Sequence, residues 1–331
     1  EHRDIFPESG EVIDDPAKYN IDTETLTAEV AVNLKAEGEI VIPSEIQVGE
    51  KTFRVTAIGE KAFKGCKNLT DIYLPQTLER LYRNAFEGTG YYLNKENWDK
   101  GFLVIGNYLI AADKSIKPKC IIPDSIHVIA AGAFQGNKTL TRVEFPATVS
   151  RIDHDTFRDC KNLTKVVIPE TITSIGQDAF TNTSIYNNEK KWKKGTLTID
   201  GCLVAVNPKA VSSKFVFKGK VPTRLFAERA FAECKNLRSI TLPSGLQEIP
   251  TAAFYKCESL AAITLPESIK KIGNFAFYEC SSMHTCVLPK DLESIGAGSF
   301  YGCKNLKELH LNINIKNLPK ACFFGCHSLH T

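Results

Sequence analysis

Ten phenylalanines stand on one ladder: Phe63, Phe86, Phe134, Phe157, Phe180, Phe231, Phe254, Phe277, Phe300 and Phe323. Seven of the nine successive steps are 23 residues, and the other two, 48 and 51, are two periods plus 2 and plus 5. A period of roughly 20–29 residues marks a solenoid, because one short unit cannot bury its own apolar face and must stack on neighbours. A length of 331 residues alone would suggest about two domains. The repeat overrides that expectation, since stacked coils share one continuous core.

The unit reads Ile-Gly-x-x-Ala-Phe-x-x-Cys-x-Asn-Leu-x-x-Ile-x-Leu-Pro-x-x-Leu-x-x. One copy runs Ile58, Gly59, Ala62, Phe63, Cys66, Asn68, Leu69, Ile72, Leu74, Pro75, Leu78, Leu81. Another runs Ile272, Gly273, Ala276, Phe277, Cys280, Met283 in the leucine place, Leu288, Pro289. Leu69-x-x-Ile72-x-Leu74 alternates inward and outward at its end, the period of a short strand. Pro75 stops it, since proline cannot donate to a ladder. Gly59, Gly176, Gly273 and Gly296 are expected to allow a tight bend before a short helical turn holding Ala-Phe. Seven of the 11 cysteines (Cys66, Cys160, Cys234, Cys257, Cys280, Cys303, Cys326) lie three residues after a ladder phenylalanine. A thiol locked to the repeat phase is a packing choice, a small hydrophobe for a crowded turn, so free buried thiols are expected.

These motifs resemble the leucine-rich repeat family, specifically its BspA-like class, over residues 58–331. The resemblance implies a leucine-rich repeat solenoid, curved and right-handed, with a parallel β-strand face on its concave side and short helical or turn segments on the other. It also implies export or cell-surface display, on a bacterium or in the extracellular space, and adhesion to host proteins or matrix. Thr89, Asn137 and Thr183 depart from the pattern by replacing cysteine, and Asn312 replaces the last proline.

Residues 1–57 hold no phenylalanine in phase and read as an N-terminal β-rich cap, with strands at 19–22, 26–30, 40–43 and 53–55. The solenoid is expected over 58–331. Its two long steps copy each other: Phe86, Trp98, Gly101, Ile105, Leu109 and Ala111 recur 94 residues later as Phe180, Trp192, Gly195, Ile199, Leu203 and Ala205. Gly106-Asn107 and Asp200-Gly201 are turn signals between strand-like runs, so β-hairpin insertions are expected near 91–119 and 185–219.

A net charge of +3, dispersed along the chain, gives no electrostatic footprint for nucleic acid. No run approaches the roughly 18 apolar residues a membrane-spanning helix needs. The chain shows no Gly-x-Ser-x-Gly elbow, phosphate loop or His-Glu-x-x-His, and its carboxylates are spread over separate coils. A non-catalytic protein without cofactor or metal is therefore expected. Cys322-x3-Cys326-His327-x2-His330 has metal-ligand residue types, but Cys326 already belongs to the packing ladder.

The default binding surface is the outward side of the strands. Its candidates are Tyr73, Arg142, Glu144, Lys165, Arg238, Thr241, Thr264, His284 and His310. Trp98 and Trp192, at equivalent points before the hairpins, either serve as exposed platforms or pack the hairpins onto the coils. The partner expected is a protein, host extracellular matrix among the options. A surface glycan held by the tryptophan hairpins, or a purely structural spacer, stay open as alternatives.

Overall fold

The run Leu-x-x-Ile-x-Leu becomes a short strand in coil after coil of the computed structural model, which describes residues 11–12, 18–217, 223–309, 315 and 318–330. Successive coils add parallel strands to short sheets, the architecture of a solenoid. It divides into two compact units, Glu1–Val166 with Ala179–Ser184 and Val167–Asp178 with Ile185–Thr331.

In the first unit the N-terminal residues form a four-stranded sheet in the order Tyr19–Asp22, Thr27–Val30, Lys51–Ile58, Glu45–Val48. Only the Thr27–Val30 and Lys51–Ile58 pair is parallel. The strand Gly38–Val41 pairs in parallel with Leu69–Tyr73, so the strand direction of the repeats already appears among the N-terminal residues. Further on, Lys119–Ile121 pairs in parallel with Arg142–Glu144. In the second unit Lys214–Val216, Ser239–Thr241, Ala262–Thr264 and Thr285–Val287 form one parallel sheet. Each triplet buries its middle residue and exposes the two beside it. The proline after each strand then turns the chain: in six coils its carbonyl accepts from the N–H three residues on, as Pro266 does from Ile269 at 3.0 Å and Pro289 from Leu292 at 3.3 Å.

A second ladder, not expected from the sequence, forms at the isoleucine before each Gly position. Glu248–Ile249, Lys271–Ile272 and Ser294–Ile295 pair in parallel, with every isoleucine buried. Two residues are too few to show a period, which is why the pattern reads as a turn in the sequence.

The Ala-Phe segment differs from the expected helical turn. Only Arg83–Phe86 is α-helical there among the described residues. Elsewhere it is a turn bracketed by left-handed residues two before and two after the phenylalanine, such as Asp155 (φ 55°) and Asp159 (φ 61°) around Phe157. The phenylalanine N–H then reaches the neighbouring coil: Phe157 to Ala179 O at 2.8 Å, Phe254 to Ala276 O at 2.8 Å, Phe277 to Ser299 O at 2.7 Å. The glycines also have a different role. Gly273 and Gly296 have no left-handed backbone, but a Cβ there would sit 2.5 Å from Thr251 N and 2.4 Å from Asn274 N. Close approach of successive coils excludes a side chain, not the demands of a bend.

The phenylalanines stack as a core column. In the first unit Phe134, Phe157 and Phe180 are spaced by 5.0 and 5.6 Å; in the second, Phe231 to Phe323 follow at 5.2–5.5 Å, all within 20° of parallel in that unit. All 11 cysteines are free thiols, ten of them buried. Five of the seven on the ladder donate to the previous phenylalanine's carbonyl: Cys160 to Phe134 O at 3.0 Å, Cys257 to Phe231 O at 3.0 Å, Cys280 to Phe254 O at 3.2 Å, Cys303 to Phe277 O at 3.2 Å and Cys326 to Phe300 O at 3.1 Å. The thiol is thus a donor as well as a filler. Next to the first insertion the residue changes: Asn137, just after it, donates to Asp113 O, and Thr89, just before it, caps the helix Gly90–Leu93 by accepting from Tyr92 N.

Each insertion is a hairpin with one strand more than expected. Trp98–Asp99, Phe102–Ile105 and Tyr108–Ala112 form an antiparallel meander, as do Trp192–Lys193, Thr196–Ile199 and Cys202–Val206. Lys100-Gly101 and Lys194-Gly195 turn the first corner with both residues left-handed, and Asp200-Gly201 (φ 45° and 74°) does the same at the second. The last strand returns to a parallel pairing, Cys202–Leu203 against Leu225–Phe226. Polar ties fix the hairpin: Asp200 Oδ2 accepts from Ile168 N at 2.9 Å, and Arg224 donates to the carbonyls of Ile172 and Pro169 at 2.7 and 2.9 Å.

Candidate binding surfaces

On the first unit, Tyr73 ends the strand Leu69–Tyr73, half-buried beside Val41. Partial burial, with Glu39 and Asp71 nearby, pushes its phenol above the usual range. Arg142 and Glu144 share one side of their strand and answer each other, with guanidinium to carboxylate distances of 2.6 and 2.7 Å. Ile121, next to Glu144 in register, is 71% exposed. Lys165 is exposed, its N–H donating to Thr141 O at 3.2 Å. This face therefore presents lysine charge beside a self-neutralised pair.

On the second unit, Thr241 and Thr264 point outward from adjacent strands, exposed between Val216 and Val287. A shallow depression of about 430 Å³ lies over Thr241, Ala262, Thr264, Ser244 and Pro266. Arg238 and His284 immediately precede their strands and are exposed at one flank. His310 lies outside the described residues. The outward positions of this sheet are small, β-branched and uncharged in the middle.

Trp98 and Trp192 hold identical places. Each indole N–H donates six residues back, Trp98 to Tyr92 O at 2.9 Å and Trp192 to Tyr186 O at 2.6 Å. Each ring meets the same tyrosine edge-on, at 5.3 and 5.2 Å. Both are half-buried, with their one donor used internally, which fits the packing role of an amphipathic aromatic. Lys95 Nζ sits 4.9 Å from the Trp98 ring centroid.

A surface that the strand positions did not suggest lies on the turn side of the second unit. Tyr255, Tyr278, Tyr301 and Phe324 each follow a ladder phenylalanine and stack outside it, at 4.8, 4.8 and 5.1 Å. Phe275 adds a fifth ring, edge-on to Tyr278 at 5.9 Å and close over Gly298. Phe275 is 43% exposed and Phe324 65%. Phe275 also holds φ 55°, at a turn position that is left-handed in other coils too and carries Lys61, Asp155, Asp178, Arg229, Ala252, Ala321 or a glycine. A bulky residue in the left-handed region is strained by about 1–2 kcal/mol. Charge frames the patch: Arg229 lies 4.8 Å from the Tyr255 centroid, and Lys256 pairs with Glu279 at 3.5 Å. The signal was present in the sequence as Phe-Tyr at 254–255, 277–278 and 300–301.

The first unit also carries a polar cleft of about 250 Å³ whose lining includes Lys64, Tyr82, Arg83, Glu87, His154 and Asp155. Lys64 and Arg83 both pair with Glu87 at 3.1 Å, and His154 contacts Asp155 at 3.3 Å. The thiols are poorly suited to nucleophilic work, because burial pushes Cys160 and Cys234 up to about 12 and Cys257 and Cys280 well above the ordinary range. Cys322 Sγ lies 3.4 Å from Ser299 Oγ, and no group of three or more metal-ligating side chains occurs among the described residues.

The family model described as the BspA-type leucine-rich repeat region matches residues 44–118, 104–194 and 216–330, in six copies. No curated relative matches the chain. Among solved structures it is similar to a leucine-rich repeat protein from Bacteroides ovatus, at 19% identity over 87% of this chain and 91% of that one, TM-score 0.28. A leucine-rich cell surface protein from Faecalibacterium prausnitzii matches at 20% identity over 94% and 85%, TM-score 0.30. The pneumococcal vaccine antigen PcpA matches at 17% identity over 90% and 86%, TM-score 0.32.

Proposed function

Because the chain belongs to the BspA-type leucine-rich repeat family, we propose that it is a non-catalytic, exported or surface-displayed protein that holds a protein partner. The partner class is a host or matrix protein, engaged through the aromatic patch of Tyr255, Phe275, Tyr278, Tyr301 and Phe324. No helix among the described residues is long and apolar enough to cross a membrane.

Phe275 carries this reading. Folding gains little from an aromatic side chain that is 43% exposed on a left-handed backbone. A bulky ring kept half-exposed at a strained backbone position supports a functional role. Aromatic rings with a polar rim are also the composition of interface hot spots. The tryptophans lend less to a glycan-binding alternative, since their indole donors are used within the chain.

The test is solid-phase binding of the intact protein to a panel of purified extracellular-matrix proteins, alongside Phe275→Asp and Tyr278→Ser. Phe275→Asp takes the residue that coils at Asp155 and Asp178 already use, so it should fold at least as stably as the parent. It should nonetheless lose binding by about tenfold or more. Binding unchanged in both variants would reject the patch; a panel with no ligand would reject a matrix partner.

A further inference from the structure

The strand face of the second unit has a charge arrangement that the protein-binding reading does not use. Five successive coils put Lys214, Ser239, Ala262, Thr285 and Glu308 in one outward column. A lysine stands at one end, a glutamate at the other, and three small uncharged residues lie between. Lys214 and Glu308 are both exposed, and neither forms an ion pair among the described residues. The parallel column two residues on is neutral too: Val216 and Val287, 45% and 48% exposed, flank Thr241 and Thr264.

We propose that this face packs against the same face of a second copy of the chain, around a two-fold axis parallel to the strands and passing through Ala262. Such an axis reverses the order of coils. It therefore sets Lys214 of each copy against Glu308 of the other, and Ser239 against Thr285, with Ala262 meeting its own image. An isologous contact requires a patch complementary to itself, and a column charged +, 0, 0, 0, − meets that condition in the reversed order only. The flanking column obeys the same rule. Backbone bonds order it as Ser213, Arg238, Ala261, His284, Lys307. Reversal puts Arg238 opposite His284 and Lys307 opposite Ser213, so no lysine or arginine faces another.

Small and β-branched side chains let two sheets approach closely, as in sandwich interiors, at about 10 Å between sheets. At about 4.8 Å per strand, five strands span only about 19 Å. The contact is thus far smaller than a standard interface, and a weak, concentration-dependent dimer is expected.

Sedimentation equilibrium on the full chain at low salt tests this, across a concentration series reaching about 1 mM. The parent should show a monomer–dimer equilibrium that weakens with added salt. Lys214→Glu and Glu308→Lys should each weaken association by about tenfold or more, since like charges then oppose at both ends. The double variant Lys214→Glu/Glu308→Lys should restore it. Ala262→Arg, at the axis, should give monomer with an unchanged circular dichroism spectrum. A parent that stays monomeric throughout the series overturns the proposal. So does a dimer that survives Ala262→Arg, or one that the double exchange fails to rescue.

Discussion

Phe254→Ala removes the middle of the aromatic column, and its cost can be worked out from its two neighbours. The Phe254 ring is wholly buried, 5.4 Å from Phe231 and 5.4 Å from Phe277, at 11° and 2° to them. Returning such a side chain to water costs about 1.5–3 kcal/mol. Each lost ring pair adds roughly 0.5–1.5 kcal/mol. Collapse of the void is opposed on both sides, because Phe254 N bonds to Ala276 O and Cys280 Sγ to Phe254 O. A loss of about 3–5 kcal/mol is expected. Phe323 is the control: it is half-buried and stacks on Phe300 at 5.5 Å with no second ring pair in the column among the described residues, so Phe323→Ala should cost roughly half as much. Urea unfolding followed by far-ultraviolet circular dichroism measures both, with hydrogen exchange locating any coil that opens by itself. If Phe254→Ala costs no more than Phe323→Ala, the column is not a continuous core and the account of the repeat fails.

Two further outcomes follow from the coil contacts. Gly296→Ala would place a Cβ 2.4 Å from Asn274 N and 2.5 Å from Gly273 C, and should destabilise by about 1–3 kcal/mol; Gly245→Ala, with nothing within 4 Å of its Cβ position, should be neutral or slightly stabilising in the same urea titration. Alkaline pH should erode stability through the thiols. Burial pushes Cys120, Cys160, Cys234 and Cys286 up to about 12 from an ordinary value of 9.0, so the unfolded chain releases protons that the folded one retains. Stability should hold below about pH 8 and fall from pH 9 toward 12, by as much as about 1.4 kcal/mol per pH unit for each such thiol. Urea midpoints in a reducing buffer that stay level from pH 9 to 11 would contradict the burial of the cysteines.

What the sequence disclosed and what it withheld divide along a physical line. A requirement that every coil must meet is stated many times, so noise in one copy is outvoted: the phenylalanine column, the buried middle residue of each strand and the proline turn were all legible. Identity was legible where mechanism was not. Cysteine three residues after phenylalanine could be read as a small hydrophobe. Its bond to a carbonyl 26 residues earlier depends on which backbone acceptor the stacking leaves open, and that is a property of two coils at once. Glycine had the same difficulty, since Gly273 and Gly296 are fixed by the backbone of the coil beside them and not by their own dihedral angles.

Function is where the limit is sharpest, because a binding surface is built from what the coils do not share. Phe275 is one phenylalanine among 19 in the sequence, and only its left-handed φ and its exposure separate it from those that fill the core. Lys214 and Glu308 are likewise ordinary charges until register places them at opposite ends of one neutral column. The strictness of the repeated core makes such departures interpretable. The inward positions are fixed by packing, so a half-exposed strained aromatic outside the column, or a charge at its margin with no ion pair among the described residues, stands out from them. Binding is the role proposed for such residues, and the Phe275, Lys214 and Glu308 variants change them while leaving the column intact.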